Sequence, residues 1–117
     1  GIFPDGWAGE TIQIFFSKNH HKKVLELRGF LPQWHPFDQI KVRLRKPLKL
    51  SRYRLHKAKE LHIKERLPQK DGKLDISVSK SFIPQSPDNR KLSFMIKELS
   101  IYDERTGKRL YEFRKSK

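Results

Sequence analysis

The chain of 117 residues has no cysteine and one methionine, and it is short of acids: 13 Asp and Glu stand against 27 Lys and Arg. Without thiols there is no disulfide scaffold, no Cys-ligated zinc site, no iron–sulfur cluster and no thiol nucleophile. That absence does not assign a compartment. No apolar run approaches the roughly 20 residues of a membrane-spanning helix, and no signal peptide is visible. A Gly-rich phosphate loop, an HExxH motif and a nucleophile elbow are also missing. His20 and His21 are adjacent, so on an extended backbone their side chains diverge and do not share a metal; His35, His56 and His62 are scattered. The acids are mostly single and surrounded by cations, short of the paired carboxylates that sugar hydrolysis needs. Asp5 alone falls far short of a calcium shell of about six to eight oxygens. These absences lead to the expectation of a non-enzyme with no catalytic residues, no metal and no cofactor.

Positive charge is what the sequence has in excess, at a formal net +14. It is concentrated. Between Lys41 and Lys70 there are 12 Lys and Arg against Glu60 and Glu65, a local balance of +10, which leaves +4 for the rest. A basic belt of this kind suits a polyanion: nucleic acid, an anionic membrane surface or an anionic polysaccharide. The plain alternative is a soluble, solvated strand face.

The apolar residues recur with a period of two. Ile40, Val42 and Leu44 alternate with Lys41, Arg43 and Arg45; Leu74, Ile76 and Val78 with Asp75, Ser77 and Ser79; Leu92, Phe94 and Ile96 with Ser93, Met95 and Lys97; Leu61 and Ile63 with His62 and Lys64. Successive strand side chains point to opposite faces, so each run has one buried and one wet face, as in antiparallel sheets. Breakers fall between the runs: Asp5-Gly6, Ser17 to His20, Pro32 to Pro36, Pro47, Pro68 to Gly72, Pro84 to Asn89 and Thr106-Gly107. The predicted strands are 11–17, 23–29, 39–45, 48–55, 60–67, 73–80, 91–103 and 108–114. This spacing predicts an all-β fold: an antiparallel β-sandwich or jelly roll of about eight strands with a C-terminal hairpin. The competing reading is a helix from Arg54 to Arg66, a stretch rich in Lys, Glu, Leu and Ala. The length suits one domain over residues 1–117. The start at Gly1 rather than Met is expected of a piece of a longer protein, and Arg114 to Lys117 of a frayed basic tail.

Candidate binding residues lie on the loops. Trp7 and Trp34 sit beside turn residues, where an indole can plug the sandwich end or offer a flat face to a sugar ring or a base. Gln33, His35 and Asp38 are polar neighbours of Trp34. In the loop from Ser79 to Arg90, Asp88 and Arg90 can pair and brace the loop, or face a ligand. Lys41, Arg43 and Arg45 share one strand face. Arg52 and Arg54 share a face opposite to that of Lys49, Ser51 and Tyr53. Across neighbouring strands such like charges stand about 5 Å apart and repel by up to roughly 1 kcal/mol per pair unless an anion intervenes. Lys41, Arg43, Arg45, Lys49, Arg52 and Arg54 are therefore the candidate polyanion contacts.

Several fragments, in order, resemble a known family: Phe3-Pro4-Asp5-Gly6-Trp7; Leu25-Glu26-Leu27-Arg28-Gly29 leading to Leu31-Pro32; Lys64-Glu65-Arg66-Leu67-Pro68; Ser79-Lys80-Ser81-Phe82-Ile83-Pro84; and Asp88-Asn89-Arg90-Lys91-Leu92-Ser93-Phe94. Over about residues 3–103 the chain resembles the small β-sandwich domain, carbohydrate-binding-module-like, that stands beside bacterial glycosyltransferases of surface polysaccharide synthesis. The hairpin after Asp103 lies outside it. The resemblance implies a jelly-roll fold, glycan as ligand, a glycosyltransferase domain as partner, and a cytoplasmic or membrane-peripheral setting; the heavy positive charge lies outside it, and the belt turns the expected ligand toward an anionic polysaccharide or an anionic membrane surface. Three functions remain open: a glycan-binding accessory domain working through Trp34, Trp7 and the loops 31–38 and 82–90; a nucleic-acid module using the belt with Trp34 or Tyr53 stacking; and an intrachain docking domain using Tyr111 and Phe113.

Overall fold

A computed structural model describes residues 1–16, 22–47, 49–85 and 87–114. The readings made of His20 and His21, of the breaker at Ser17 to His20 and of the tail beyond Arg114 lie outside the described residues. The described chain is all-β: β1 (Thr11–Phe16), β2 (Lys23–Phe30), β3 (Gln39–Lys46), β4 (Lys49–His56), β5 (Leu61–Leu67), β6 (Gly72–Val78), β7 (Met95–Asp103) and β8 (Arg109–Arg114). They form two antiparallel sheets of four, in the orders β1-β6-β3-β4 and β5-β2-β7-β8. The stretch from Arg54 to Arg66 is the end of β4, a turn and β5, not a helix. Its alternation of buried Leu61, Ile63 and Leu67 with exposed His62, Lys64 and Arg66 overrides the helix propensity of its Lys, Glu and Ala.

The pairings nest. β1 pairs with β6, β2 with β5, and β3 with β4, while β7 and β8 extend the second sheet. The inner faces meet in one core that includes Leu25, Leu27, Ile40, Val42, Leu44, Ile63, Leu74, Ile76, Phe94 and Leu99, nearly all without exposed surface. These are the apolar members of the alternating runs, and removing their surface from water stabilises the two layers by about 25 cal/mol per Å². Gly29 lies where β2 slips register against β7. A Cβ there would stand 2.9 Å from the Phe94 ring and the Met95 carbonyl, so only glycine lets the strand approach.

β7 begins at Met95, four residues later than the pattern predicts. Residues Leu92 to Phe94 instead meet the N-terminal segment and the loop at Phe82: Ser93 N donates to Ala8 O at 2.9 Å, Ala8 N to Phe94 O at 2.8 Å, and Phe82 and Leu92 exchange two 2.8 Å bonds. The β7–β8 turn follows the Thr106-Gly107 expectation. Gly107 has φ +74°, and the Asp103 carboxylate accepts from the backbone N–H groups of Arg105 and Thr106.

The open side between β4 and β5 is closed by an inward carboxylate. Glu65 accepts from Lys46 Nζ at 2.8 Å, from Ser51 Oγ at 3.1 Å and from the Tyr53 hydroxyl. Burial alone would raise the Glu65 carboxyl, but these three donors and the Lys46 charge leave it below its usual value. Burial and the neighbouring Glu65 push the Tyr53 phenol up to about 12.

Candidate functional site

The nested β3–β4 hairpin fixes the geometry of the basic belt. Lys41 stands opposite Arg54 and Arg43 opposite Arg52, with Arg45 opposite Leu50 and Gln39 opposite His56. Ile40, Val42, Leu44 and Leu55 point into the core, so Lys41, Arg43, Arg45, Arg52, Arg54 and His56 are exposed on the outer face. Two rungs of facing cations result. Among the described residues no carboxylate pairs with Lys41, Arg43, Arg45, Arg52 or Arg54, although ion pairs are frequent elsewhere on the surface. Lys49 follows the alternation and lies on the other face, toward Lys46 at the turn; it lines an open groove of about 570 Å³ with Arg45, Lys73 and Asp75.

The loop end is organised around rings. Trp7 is buried, and its indole backs that of Trp34 at 5.6 Å between centroids, with Phe82 edge-on to both at 5.6 and 6.2 Å. Trp34 remains 67% exposed. His35, next in sequence, is sealed at 2% exposure. Its Nδ1 accepts from the Phe37 N–H at 3.1 Å, so the neutral ring carries its proton on Nε2, which donates to Ser93 O at 2.7 Å. Burial holds the imidazole below its usual value against the pull of the two backbone carbonyls. Gln33 is exposed and donates to Lys57 O at 3.3 Å; Asp38 is exposed, 3.5 Å from Lys57. Lys80 lies over the Phe37 ring at 5.0 Å.

Asp88 and Arg90 pair, as one of the two sequence readings had it. The guanidinium grips Asp88 at 2.9 and 2.7 Å and also Asp5 at 3.2 and 2.9 Å, and it lies 4.8 Å over Phe3. The Arg90 hydrogen bonds hold both carboxyls below their usual values, and the two carboxylates raise the guanidinium further. Asp5, 85 residues away in sequence, is the partner that spacing could not reveal.

The sequence candidates thus separate. Trp34, Gln33 and Asp38 are exposed at the loop end; Trp7 and His35 support them from beneath; Asp88 and Arg90 tie the 82–90 loop to the N-terminal segment. Tyr53 points inward to Glu65, away from the cations of β4. Tyr111 is 44% exposed beside Leu110 and Phe15 along a groove of about 290 Å³, whereas Phe113 packs against the core. A residue that sequence reasoning missed is His56, in line with Arg52 and Arg54; the same alternation places it. Among the described residues no group of three or more His, Asp or Glu is arranged to hold a metal, and no helix is long and apolar enough to cross a membrane. Comparison with protein-family models, with curated proteins and with solved structures finds no match.

Proposed function

We propose that this chain is a non-catalytic binding domain that holds an anionic glycan on the outer face of β3 and β4, serving as an accessory that positions a glycosyltransferase on its acceptor. The observation that carries this reading is the pair of facing cation rungs, Lys41 with Arg54 and Arg43 with Arg52, with no carboxylate paired to them among the described residues. Such rungs repel by a few tenths to about 1 kcal/mol each, and a bound polyanion removes the penalty. The nested pairing of β1 with β6, β2 with β5 and β3 with β4 supports reading the sandwich as a jelly roll, the architecture implied by the family resemblance. Trp34 adds a flat apolar face at the loop end for a sugar ring.

A glycan is favoured over nucleic acid because recognition of a single strand uses aromatic rings interleaved with the cations. The outward positions of β3 and β4 carry no phenyl or indole ring, and Tyr53 is turned inward.

The test is retention of the chain on immobilised polygalacturonate and heparin, with neutral dextran as control, at low and rising salt. The wild type binds both anionic polymers and elutes early as salt rises, and Arg43→Glu/Arg52→Glu elutes with the neutral control. Trp34→Ala weakens the glycans more than it weakens polyglutamate of equal charge. No retention of the wild type at low salt, or equal retention of the double variant, would sink the proposal. Tighter binding of single-stranded DNA than of either glycan would move it to the nucleic-acid class.

A further inference from the structure

The cationic face has two unlike ends. At the β3–β4 turn it opens into the groove shared by Arg45, Lys49, Lys73 and Asp75. Asp75 keeps one carboxylate oxygen buried without a partner there, with Lys73 3.6 Å from the other, and the nearby Lys46 is committed to Glu65. A negative group entering that groove meets one already present.

The other end runs into a pocket of about 420 Å³ lined by Arg54, His56, Lys59, Glu60, Leu61 and His62. Its acid, Glu60, is neutralised by Lys97 at 2.8 Å, and His62 is held by Glu26 at 2.5 Å. Arg54, His56 and Lys59 have no carboxylate partner among the described residues. The volume lies within the range of roughly 300–1,000 Å³ typical of small-ligand sites. His56 is one rung beyond the pair Lys41 and Arg54, so the pocket continues the row.

We propose that this pocket is the terminal subsite of the glycan-binding face: it takes the charged end residue, a carboxylate or a sulfate or phosphate ester, of a linear anionic glycan whose body lies along the rungs of β3 and β4. The inference rests on the reading of that face given above. Outward positions on one strand recur about every 7 Å, so the row from Leu50 to His56 spans about 20 Å and fits an extended oligosaccharide rather than a single sugar. Arg54 supplies a planar fork for the terminal anion, with His56 and Lys59 beside it.

Two measurements on the chain decide the matter. In an amide NMR titration with inorganic sulfate, the shifts concentrate on residues 54–62. In a length series of oligogalacturonides, His56→Ala/Lys59→Ala loses about tenfold in affinity for short oligomers and no more than about twofold for the long polymer, because the lost end contacts matter less when both cation rungs are also engaged. Both side chains are exposed, so the fold is retained. Sulfate shifts centred on Arg45 and Lys73, or an equal loss for short and long chains, overturn the terminal subsite while leaving the cationic face intact. Failure of the wild type to bind the polymer overturns both. A 5′-phosphorylated DNA strand that outcompetes a glycan of equal charge overturns the ligand class.

Discussion

The two outer faces of the sandwich solve the problem of surface charge in opposite ways. On the β5-β2-β7-β8 sheet several of the described cations find an acid on a neighbouring strand. Glu26 lies 2.5 Å from His62 and 3.7 Å from Arg28, Arg28 lies 3.8 Å from Glu98, and Arg109 reaches Glu98 at 3.8 Å and Glu112 at 3.5 Å. On the β1-β6-β3-β4 sheet Lys41 faces Arg54 and Arg43 faces Arg52, while Arg45 stands opposite Asp75 of β6 with no ion pair formed. Both sheets use the same two-residue alternation, so backbone geometry does not explain the difference. The paired face commits its charges to holding strands together, and the outward cations of β3 and β4 carry no ion pair among the described residues, the feature on which the proposed binding role rests. Solubility alone would be served as well by charges placed out of register, which is why facing cations carry more functional meaning than the net charge does.

Matched charge reversals give the sharpest contrast. Glu26→Lys on the paired face puts a cation on a nearly buried position beside His62, Lys64 and Arg28. Its expected cost is about 3 kcal/mol of unfolding free energy, read by denaturant titration, with polygalacturonate binding unchanged. Arg43→Glu on the unpaired face turns a repelling rung into an attracting one. It is expected to gain up to about 1 kcal/mol of stability while losing at least about tenfold in affinity. If both reversals destabilise alike, the distinction between the faces fails.

Acid separates the faces more gently. Burial would raise the Glu26 carboxyl, but the His62 hydrogen bond and the charges of His62, Lys64 and Arg28 hold it below its usual 4.5. The native state therefore binds the proton more weakly than the unfolded chain does. The contribution is complete above about pH 4.5 and is lost as pH falls through the lowered native value. Melting temperature should drop across that window, and Glu26→Gln should flatten the drop. His35 acts higher up. Its imidazole is held neutral below the usual 6.5, so unfolded chains gain a proton first and stability should decline as pH falls beneath about 6.5, a slope that His35→Gln removes. The smallest effect concerns salt: Arg45→Gln should lower the salt dependence of polymer binding by about one counterion with little change in melting temperature.

Most of the fold was legible because one-sided burial writes itself as alternation. Ile40, Val42 and Leu44 against Lys41, Arg43 and Arg45 specify both a strand and its inward face. The order of the strands was not legible, since nothing local tells β1 to choose β6. For the same reason the sequence placed Asp88 beside Arg90 but gave no sign of Asp5, and it showed Glu65 only as one of two acids within the basic belt, although Lys46, Ser51 and Tyr53 converge on it. Trp34 differs from Trp7 in sequence by its flanking prolines and polar neighbours, but only the packing of loop 31–38 over the N-terminal segment decides that Trp7 is covered and Trp34 presented. The rungs needed one further fact, the tight hairpin register that sets Lys46 opposite Lys49 and so aligns every cation pair behind it.

That register also bears on how the chain acquires its shape. Of the three nested pairs, β3 with β4 closes the shortest loop, and β2 with β5 and β1 with β6 can only wrap around it afterwards at greater entropic cost. The hairpin best placed to form first is thus the one whose side chains resist forming it. Screening by salt should accelerate refolding in stopped-flow experiments, and a refolding rate indifferent to ionic strength would show that assembly starts elsewhere.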